Sequence, residues 1–539
     1  MARVVVIGAG VGGLATAARL AAVGHDVTIC EQGTMVGGKL GWYERGGYGF
    51  DTGPSLLTMP HVFEDLFAAT GGPPGQDELE LRRLDPIASY RFADGTVLAA
   101  HADEQAFVAE LDARLGAPAG ADWQRLAARA ARVFNASEQP FLASPVRAGG
   151  LARLAWAAPG DIPAVAPGRS LRGLGRSMVR DPRLRLMLDR YATYSGSDPR
   201  RAPAALVSVL HAERRFGGWY VPGGLHRLGA AVEARARRGG ARILTGTRVR
   251  SVTCTPGGRV DGVRLADGFR LPADVVVANI DAAALYGGLL PEGLGRAGRR
   301  QVRRANRSMS GFVLLLALAR QAPGPGPGRT GGQQPTGSPT RLPAQHTVTF
   351  PADYDAEFDA VFAGRLPADP TIYLHAPDDP ACAPSDGEAW FVLVNAPPHL
   401  PSTGDPRPGR SGPRGPRPAG PGRDGPGPDG AGLDWDRPGL ADGYARHVLE
   451  LLAARGFDVR DRLRWYETIT PADLERRTGS VGGAIYGTAS HGVRSAFLRP
   501  PNATAVPGLF HVGGSAHPGG GLPLVALSAA IVAELVGPA

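Results

Sequence analysis

Val4-Val5-Val6-Ile7-Gly8-Ala9-Gly10-Val11-Gly12-Gly13 is the stretch that decides the fold. Its apolar, β-branched run reads as a buried strand, and GxGxxG carries that strand into the helical pattern Leu14 to Val23. In this setting Gly8 permits the tight turn, Gly10 lets a pyrophosphate approach the backbone, and Gly13 lets helix pack closely on strand. A second strand, Val27 to Cys30, ends in Glu31, where a carboxylate can accept hydrogen bonds from an adenosine ribose lacking a 2′-phosphate. GxGxxG alone does not separate NAD from FAD. The following glycine pair Gly37 and Gly38, with Lys39 as a basic residue near the phosphates, favours FAD. The expected fold is α/β, with a discontinuous Rossmann-like FAD-binding domain, an inserted α+β substrate domain and a helical lobe.

Working outward, 539 residues exceed what one hydrophobic core usually organises, and 43% hydrophobic residues suffice to build more than one. The net charge of +9 suggests anionic partners, but no nucleic-acid-binding motif accompanies the scattered arginines, and nucleic acid is not expected. Anionic lipid headgroups remain a candidate for that charge. Lys39 is the only lysine, so arginine is the default basic residue. Cys30, Cys254 and Cys382 lack CxxC or Cys/His spacing, which argues for a reducing compartment and no metal site. The amino terminus enters a strand at once and does not read as a signal peptide. Phe312 to Ala319 and Leu524 to Val536 are too short or interrupted to span a bilayer. The expected location is cytoplasmic, peripherally associated with the inner face of the cell membrane.

Gln321 to Ala344 and Ser402 to Pro438 are rich in Gly and Pro and should form mobile loops or disordered insertions (321–344 and 402–438). Between them, His346 to Phe350, Thr371 to His375 and Trp390 to Asn395 read as strands of one sheet. Glu104 to Arg190 reads as a separate helical lobe. A helix from Leu225 to Arg238, strands at 241–244, 247–254, 259–265 and 274–279, and a last strand Gly508 to Val512 return to α/β character. The division expected is FAD-binding 1–100, helical lobe 101–220, FAD-binding 221–290, substrate domain 291–500 and FAD-binding 501–539.

Several blocks, in order, carry a resemblance: Gly49-Phe50-Asp51-Thr52-Gly53-Pro54-Ser55, Asp94-Gly95, Tyr220-Val221-Pro222-Gly223-Gly224-Leu225, Val275-Val276-Val277-Ala278-Asn279-Ile280-Asp281, His346-Thr347-Val348-Thr349-Phe350, and Val512-Gly513-Gly514-Ser515-Ala516-His517-Pro518-Gly519-Gly520-Gly521-Leu522-Pro523. With these the chain resembles the flavin amine oxidase superfamily and, within it, the bacterial phytoene desaturases and related carotenoid desaturases. The resemblance implies that Gly53 and Pro54 lie at the cofactor and that Gly513 and Gly514 flank its ribityl-phosphate part. It places Gly521, Leu522 and Pro523 near the isoalloxazine, and lets Val249 read the adenine edge with its backbone. An ordinary exposed strand would look the same at Val249. Ala516 stands where many phytoene desaturases have Thr, and Tyr90-Arg91-Phe92-Ala93-Asp94-Gly95 is closer to enzymes acting on hydroxylated carotenoids.

The implied activity is FAD-dependent insertion of C=C bonds into an acyclic C30 or C40 carotenoid, with quinone or oxygen as final acceptor. The alternatives are a hydroxycarotenoid 3,4-desaturase, an amine or protoporphyrinogen oxidase, or a flavin-free binder of prenylated proteins, against which the intact glycines and Glu31 speak. No catalytic residue is assigned. His517 is the candidate polar group near the ring, with backbone hydrogen bonding as its structural alternative. Leu151, Leu154 and Trp156, with Arg147, Arg153 and Arg169, offer a membrane-facing surface or simply a packed helix with solvated arginines.

Overall fold

The computed structural model describes residues 1–74, 79–145, 165–321, 343–401, 432–492 and 499–539. Strand Arg3–Ile7 lies at the centre of a five-stranded parallel sheet in the order Leu509–His511, Val275–Ala278, Arg3–Ile7, Asp26–Cys30, Arg242–Leu244. Both faces of that strand are covered, which is why it is a continuous apolar run. One face packs on helices Val11–Ala22, His226–Arg238 and Leu522–Val536. The other carries the antiparallel meander Val249–Cys254, Val260–Leu265, Arg270–Pro272. Helix Val11–Ala22 is rich in glycine and alanine, so the closing helix can approach it closely: a Cβ on Gly12 would lie 3.0 Å from Val525.

A second sheet of seven strands runs in the order Leu463–Ile469, Ser310–Ala319, Gly387–Ala396, Ile372–His375, His346–Thr349, Ala88–Arg91, Val97–Ala100. Neighbours are antiparallel except His346–Thr349 with Ala88–Arg91. Alternation divides its residues between two faces. Phe312, Leu314, Leu316, Ile372, Leu374, Val392 and Val394 pack under helix Leu440–Ala454. Val313, Leu315 and Phe391 face Tyr48 and Phe50, in the segment that follows the first nucleotide-binding unit.

Three readings differ from the structure. Residues 88–100, grouped by sequence with the cofactor-binding segment, form the edge of the seven-stranded sheet. The helical region is not a separate lobe: Trp123, Leu126, Leu174, Leu188 and Leu210 share one core with Tyr90, Leu98 and Val348 of that sheet edge. An amphipathic helix cannot bury its apolar stripe alone, and here the sheet covers it. The end of the second Gly/Pro tract is also packed. Trp435 is buried, stacks on Phe312 at 5.4 Å and donates from Nε1 to the Pro397 carbonyl. One large aromatic supplies enough apolar area to anchor a segment whose composition otherwise opposes order. The stretches 322–342 and 402–431 lie outside the described residues.

Asp51 ties the two sheets' connections together. Its carboxylate accepts from the Leu225 and His226 amides at 2.7 and 2.8 Å, satisfying donors at the start of helix His226–Arg238. The Tyr220 to Leu225 block is thereby fixed against the Gly49 to Pro60 block. Replacing Trp435 with Ala should cost about 3–5 kcal/mol, as for other buried aromatics. Denaturant unfolding measures it, and a loss below about 1 kcal/mol would mean that 432–438 is not part of the core.

Candidate cofactor and substrate site

Asn279, at the end of the Val275–Ala278 strand, sits inside a collar of glycines. A Cβ built on Gly8, Gly10, Gly12, Gly13 or Gly513 would fall within 3.0 Å of an Asn279 atom. The Asn279 amide donates to the Gly8 carbonyl at 3.2 Å. Gly8 has φ +94° and Gly513 φ +102°, a region that side chains resist. A Cβ on Gly13 would also lie 2.1 Å from the Gly8 carbonyl oxygen, so the close packing expected of it is observed. Gly10 begins helix Val11–Ala22 and contributes no side-chain cap, leaving that positive helix end to an anionic ligand.

The second glycine pair closes on the first. Gly37 bridges Gly10, its amide donates to the Ala9 carbonyl, and a Cβ on Gly38 would be 3.1 Å from the Gly10 Cα. Glu31 is buried and accepts from the Ala9 amide at 2.7 Å and the Gly33 amide at 2.8 Å. Two amide donors leave a carboxylate further lone pairs for a ribose. Val249 turns its side chain into the core, while the chain just before it runs beside Glu31: the Thr247 amide donates to the Glu31 carbonyl at 2.7 Å. Glu31 and Val249 thus define one end of an elongated site.

Lys39 follows Gly38 directly, and its amine donates to the carbonyls of Ala484 and Ile485 at 3.0 and 2.6 Å. The side chain is long enough to leave the glycine turn and reach unpaired carbonyls across the cleft. Burial lowers its pKa to about 8, with Asp281 opposing and Arg499 adding to the shift. Gly53 packs on the Lys39 carbonyl, where a Cβ would be 1.9 Å away, and Pro54 beside it is exposed. Arg499 is buried with no carboxylate among the described residues in ion-pair reach, and donates to the carbonyls of Tyr486, Gly514 and Thr488. Burial lowers its pKa to about 10.

The ring of Tyr486 lies against Gly520, where a Cβ would be 2.4 Å from Cδ1. Gly514 is adjacent to Gly520, and Gly521 caps helix Leu522–Val536 with open space around it and Pro523 in the first turn. The sequence blocks included Asn279 without giving it a role and did not include Arg499. Asn279 directly after four buried strand residues is a signal that could have marked it; Arg499 had none.

His517 takes its structural alternative. Its Nε2 lies 2.7 and 3.1 Å from the carbonyls of Phe141 and Ser144, so that nitrogen carries a proton and donates to them. Leu151, Leu154, Trp156, Arg147 and Arg153 lie outside the described residues. Arg169 donates to the Gly173 carbonyl. Among the described residues His399, Asp434 and Asp436 bring possible metal-ligand atoms within 4.8 Å, but Asp436 already pairs with Arg476 at 2.7 Å.

The residues present fit FAD: a glycine cradle that side chains would fill, an open helix amino terminus, a buried acid at one end and buried cations at the other. Comparison with known proteins agrees. The profile of flavin-containing amine oxidoreductases matches residues 11–356. A hydroxyneurosporene desaturase of Cereibacter sphaeroides is 34% identical over 99% of this chain and 97% of its own length. A 4,4′-diapolycopene oxygenase of Methylomonas is 32% identical over 99% of this chain and 98% of its own. The fold matches an oxidoreductase from Methanosarcina mazei with TM-score 0.61 and 16% identity, covering 99% and 100% of the two chains.

Gly10→Val should fold, because the nearest atom to its Cβ is the movable Asn279 amide at 3.0 Å, yet crowd the pyrophosphate. Overpacking of about 1–3 kcal/mol weakens FAD binding about 10- to 100-fold. Circular dichroism checks the fold and flavin absorbance the loss; full FAD retention would refute the assignment of Gly10.

Proposed function

The chain belongs to the flavin-containing amine oxidoreductases, and from that premise we propose that it is an FAD-dependent carotenoid desaturase acting on an acyclic C30 or C40 polyene. The observation that carries this reading is the likeness, over nearly the whole chain, to a hydroxyneurosporene desaturase and a 4,4′-diapolycopene oxygenase. When bound, FAD would supply the redox chemistry by taking a hydride from one carbon, while a proton leaves the neighbouring carbon to solvent or a base that no residue here is assigned to be.

The chain's own residues position and polarise. Orientation of the polyene against the cofactor can account for a large share of such a rate enhancement. Lys39 and Arg499 place positive charge at the reactive end, and the amino terminus of helix Leu522–Val536 adds its dipole; together they favour negative charge on a reduced cofactor. His517 is committed to two carbonyls and orients the chain around residues 141–144.

Quinone or oxygen serves as the final acceptor in this reading, and the protein sits peripherally on the inner face of the cell membrane. No helix among the described residues is long and apolar enough to cross one. Helix Arg296–Arg304 supports peripheral contact, with Arg296, Arg300, Arg303 and Arg304 exposed and none of its residues buried.

Incubating the FAD-loaded protein in liposomes with phytoene, or with later acyclic intermediates, should give products whose absorbance is red-shifted. Flavin binding with no polyene changed, and peroxide formed from a polyamine, would replace this reading with an amine oxidase. The Lys39 pKa sets a pH dependence. Lysine is charged below its pKa and neutral above it, so flavin reduction by the polyene should slow as pH rises through about 8. Stopped-flow measurement checks this, and Lys39→Arg, which stays charged, should remove the decline.

A further inference from the structure

Helix Pro471–Thr478 follows strand Leu463–Ile469 at the edge of the seven-stranded sheet and carries two adjacent arginines in its last turn. Thr470 and Asp473 form a capping box at its start, and Gly479 ends it in the left-handed region at φ +67°. Arginine in a last turn ordinarily complements the helix dipole and pairs with nearby acids. Arg476 does so, donating to Asp436 at 2.7 Å and to Asp473 at 2.6 Å. Arg477 behaves differently. No carboxylate among the described residues lies within ion-pair distance of it, and its Nη2 donates to the buried Thr52 hydroxyl at 2.7 Å.

Two features aim Arg477 at the cofactor cradle. Gly41 makes room for it: a Cβ there would lie 2.8 Å from both Arg477 Nη2 and Thr52 Oγ1, and 3.7 Å from the Gly38 carbonyl oxygen. The guanidinium thus borders the second glycine pair, and Gly38 in turn packs on Gly10 at the start of helix Val11–Ala22. Just beyond Arg477, a Cβ on Gly479 would lie 3.6 Å from Nε2 of Gln32, the neighbour of Glu31. In a dinucleotide fold the diphosphate lies between the ribose-binding acid and the glycine turn, and the end of this helix spans that stretch. Arg477 also keeps accessible surface, although burial lowers its pKa against the opposing charge of Asp473. Its bond to Thr52 is with a neutral group and uses one of five N–H donors, so a partly desolvated cation stands here without an anion.

We propose that Arg477 binds the diphosphate of the cofactor, so that one ligand joins the nucleotide-binding sheet to the helix that follows the second sheet's edge strand. This rests on the FAD site and is independent of the substrate. The helix terminus at Gly10 offers partial positive charge and backbone amides, whereas a diphosphate brings two negative charges. An arginine fork supplies a full charge and paired donors that match phosphate oxygens. The bond to Thr52 and the space at Gly41 hold that fork before the ligand arrives, which lowers the ordering cost of binding. The diphosphate then ties helix Pro471–Thr478 to the glycine turn. A nucleoside without phosphates cannot do this.

Equilibrium titration of the full, flavin-free chain with FAD, ADP and adenosine tests this. Arg477→Gln should weaken FAD and ADP about 10- to 100-fold, the loss expected of a charged hydrogen bond, and leave adenosine unchanged. Arg477→Lys, which keeps the charge without the fork, should recover part of that loss. Arg476→Gln, one residue away, should change none of the three affinities. Equal weakening of ADP and adenosine by Arg477→Gln reports a general disturbance of the site and overturns the inference, as does an unchanged ADP affinity. Should circular dichroism show Arg477→Gln misfolded, hydrogen exchange in the wild type decides. ADP should slow exchange across residues 471–479 where adenosine does not; equal effects of the two, or none, overturn the inference. If the wild type binds neither FAD nor ADP, the FAD site itself fails and Arg477 with it, whereas normal FAD binding with no effect of Arg477→Gln removes only the role of Arg477.

Discussion

Everything in the cofactor domain is arranged around the approach of five glycines to one asparagine, four to its side chain and Gly8 to its backbone carbonyl. Asn279 occupies the space that side chains at positions 8, 10, 12, 13 and 513 would take, and it holds the first of those turns through the Gly8 carbonyl. Three distant parts of the chain meet there: the first strand and helix, the fourth strand of the chain's parallel sheet order, and the closing turn. Because close-packed interiors do not absorb an added methyl cheaply, the glycines and the asparagine form a single constraint rather than six independent choices.

That constraint explains which parts of the molecule were legible in the sequence. The Arg3–Ile7 strand, its glycine loop and the strand ending at Glu31 are local, so apolar patterning and spacing identify them. Glu31 was recognisable as an acid after a strand, but its hold on the Ala9 and Gly33 amides was not. Lys39 was visible as a basic residue after a glycine pair; its partners lie 445 and 446 residues away, and no local pattern can reveal them. Trp435 was hidden for a different reason. Its neighbours have the composition of a disordered tract, and composition averages over the one residue that anchors the segment.

The two ends of the site are built from unlike materials. At the nucleotide end, backbone amides and a helix terminus do most of the binding, which calls chiefly for glycine. At the reactive end, side chains including Lys39, Tyr486 and Arg499 come together, and their identity sets what the space accepts.

The parallel sheet also imposes an order on biosynthesis. Its central strand is made first, yet one neighbour arrives only at Val275–Ala278 and the outermost strand only at Leu509–His511, just before the closing helix. Pairing so distant in sequence is slow, and until it occurs a nascent chain exposes the apolar faces of Val4 to Ile7 and of helix Val11–Ala22. The cofactor cannot act as an early scaffold, because Gly513 and its turn are made long after the Gly8 to Gly13 turn that they complete. Assembly of this protein therefore depends on keeping a long unfinished intermediate from aggregating, a burden set by chain topology rather than by stability.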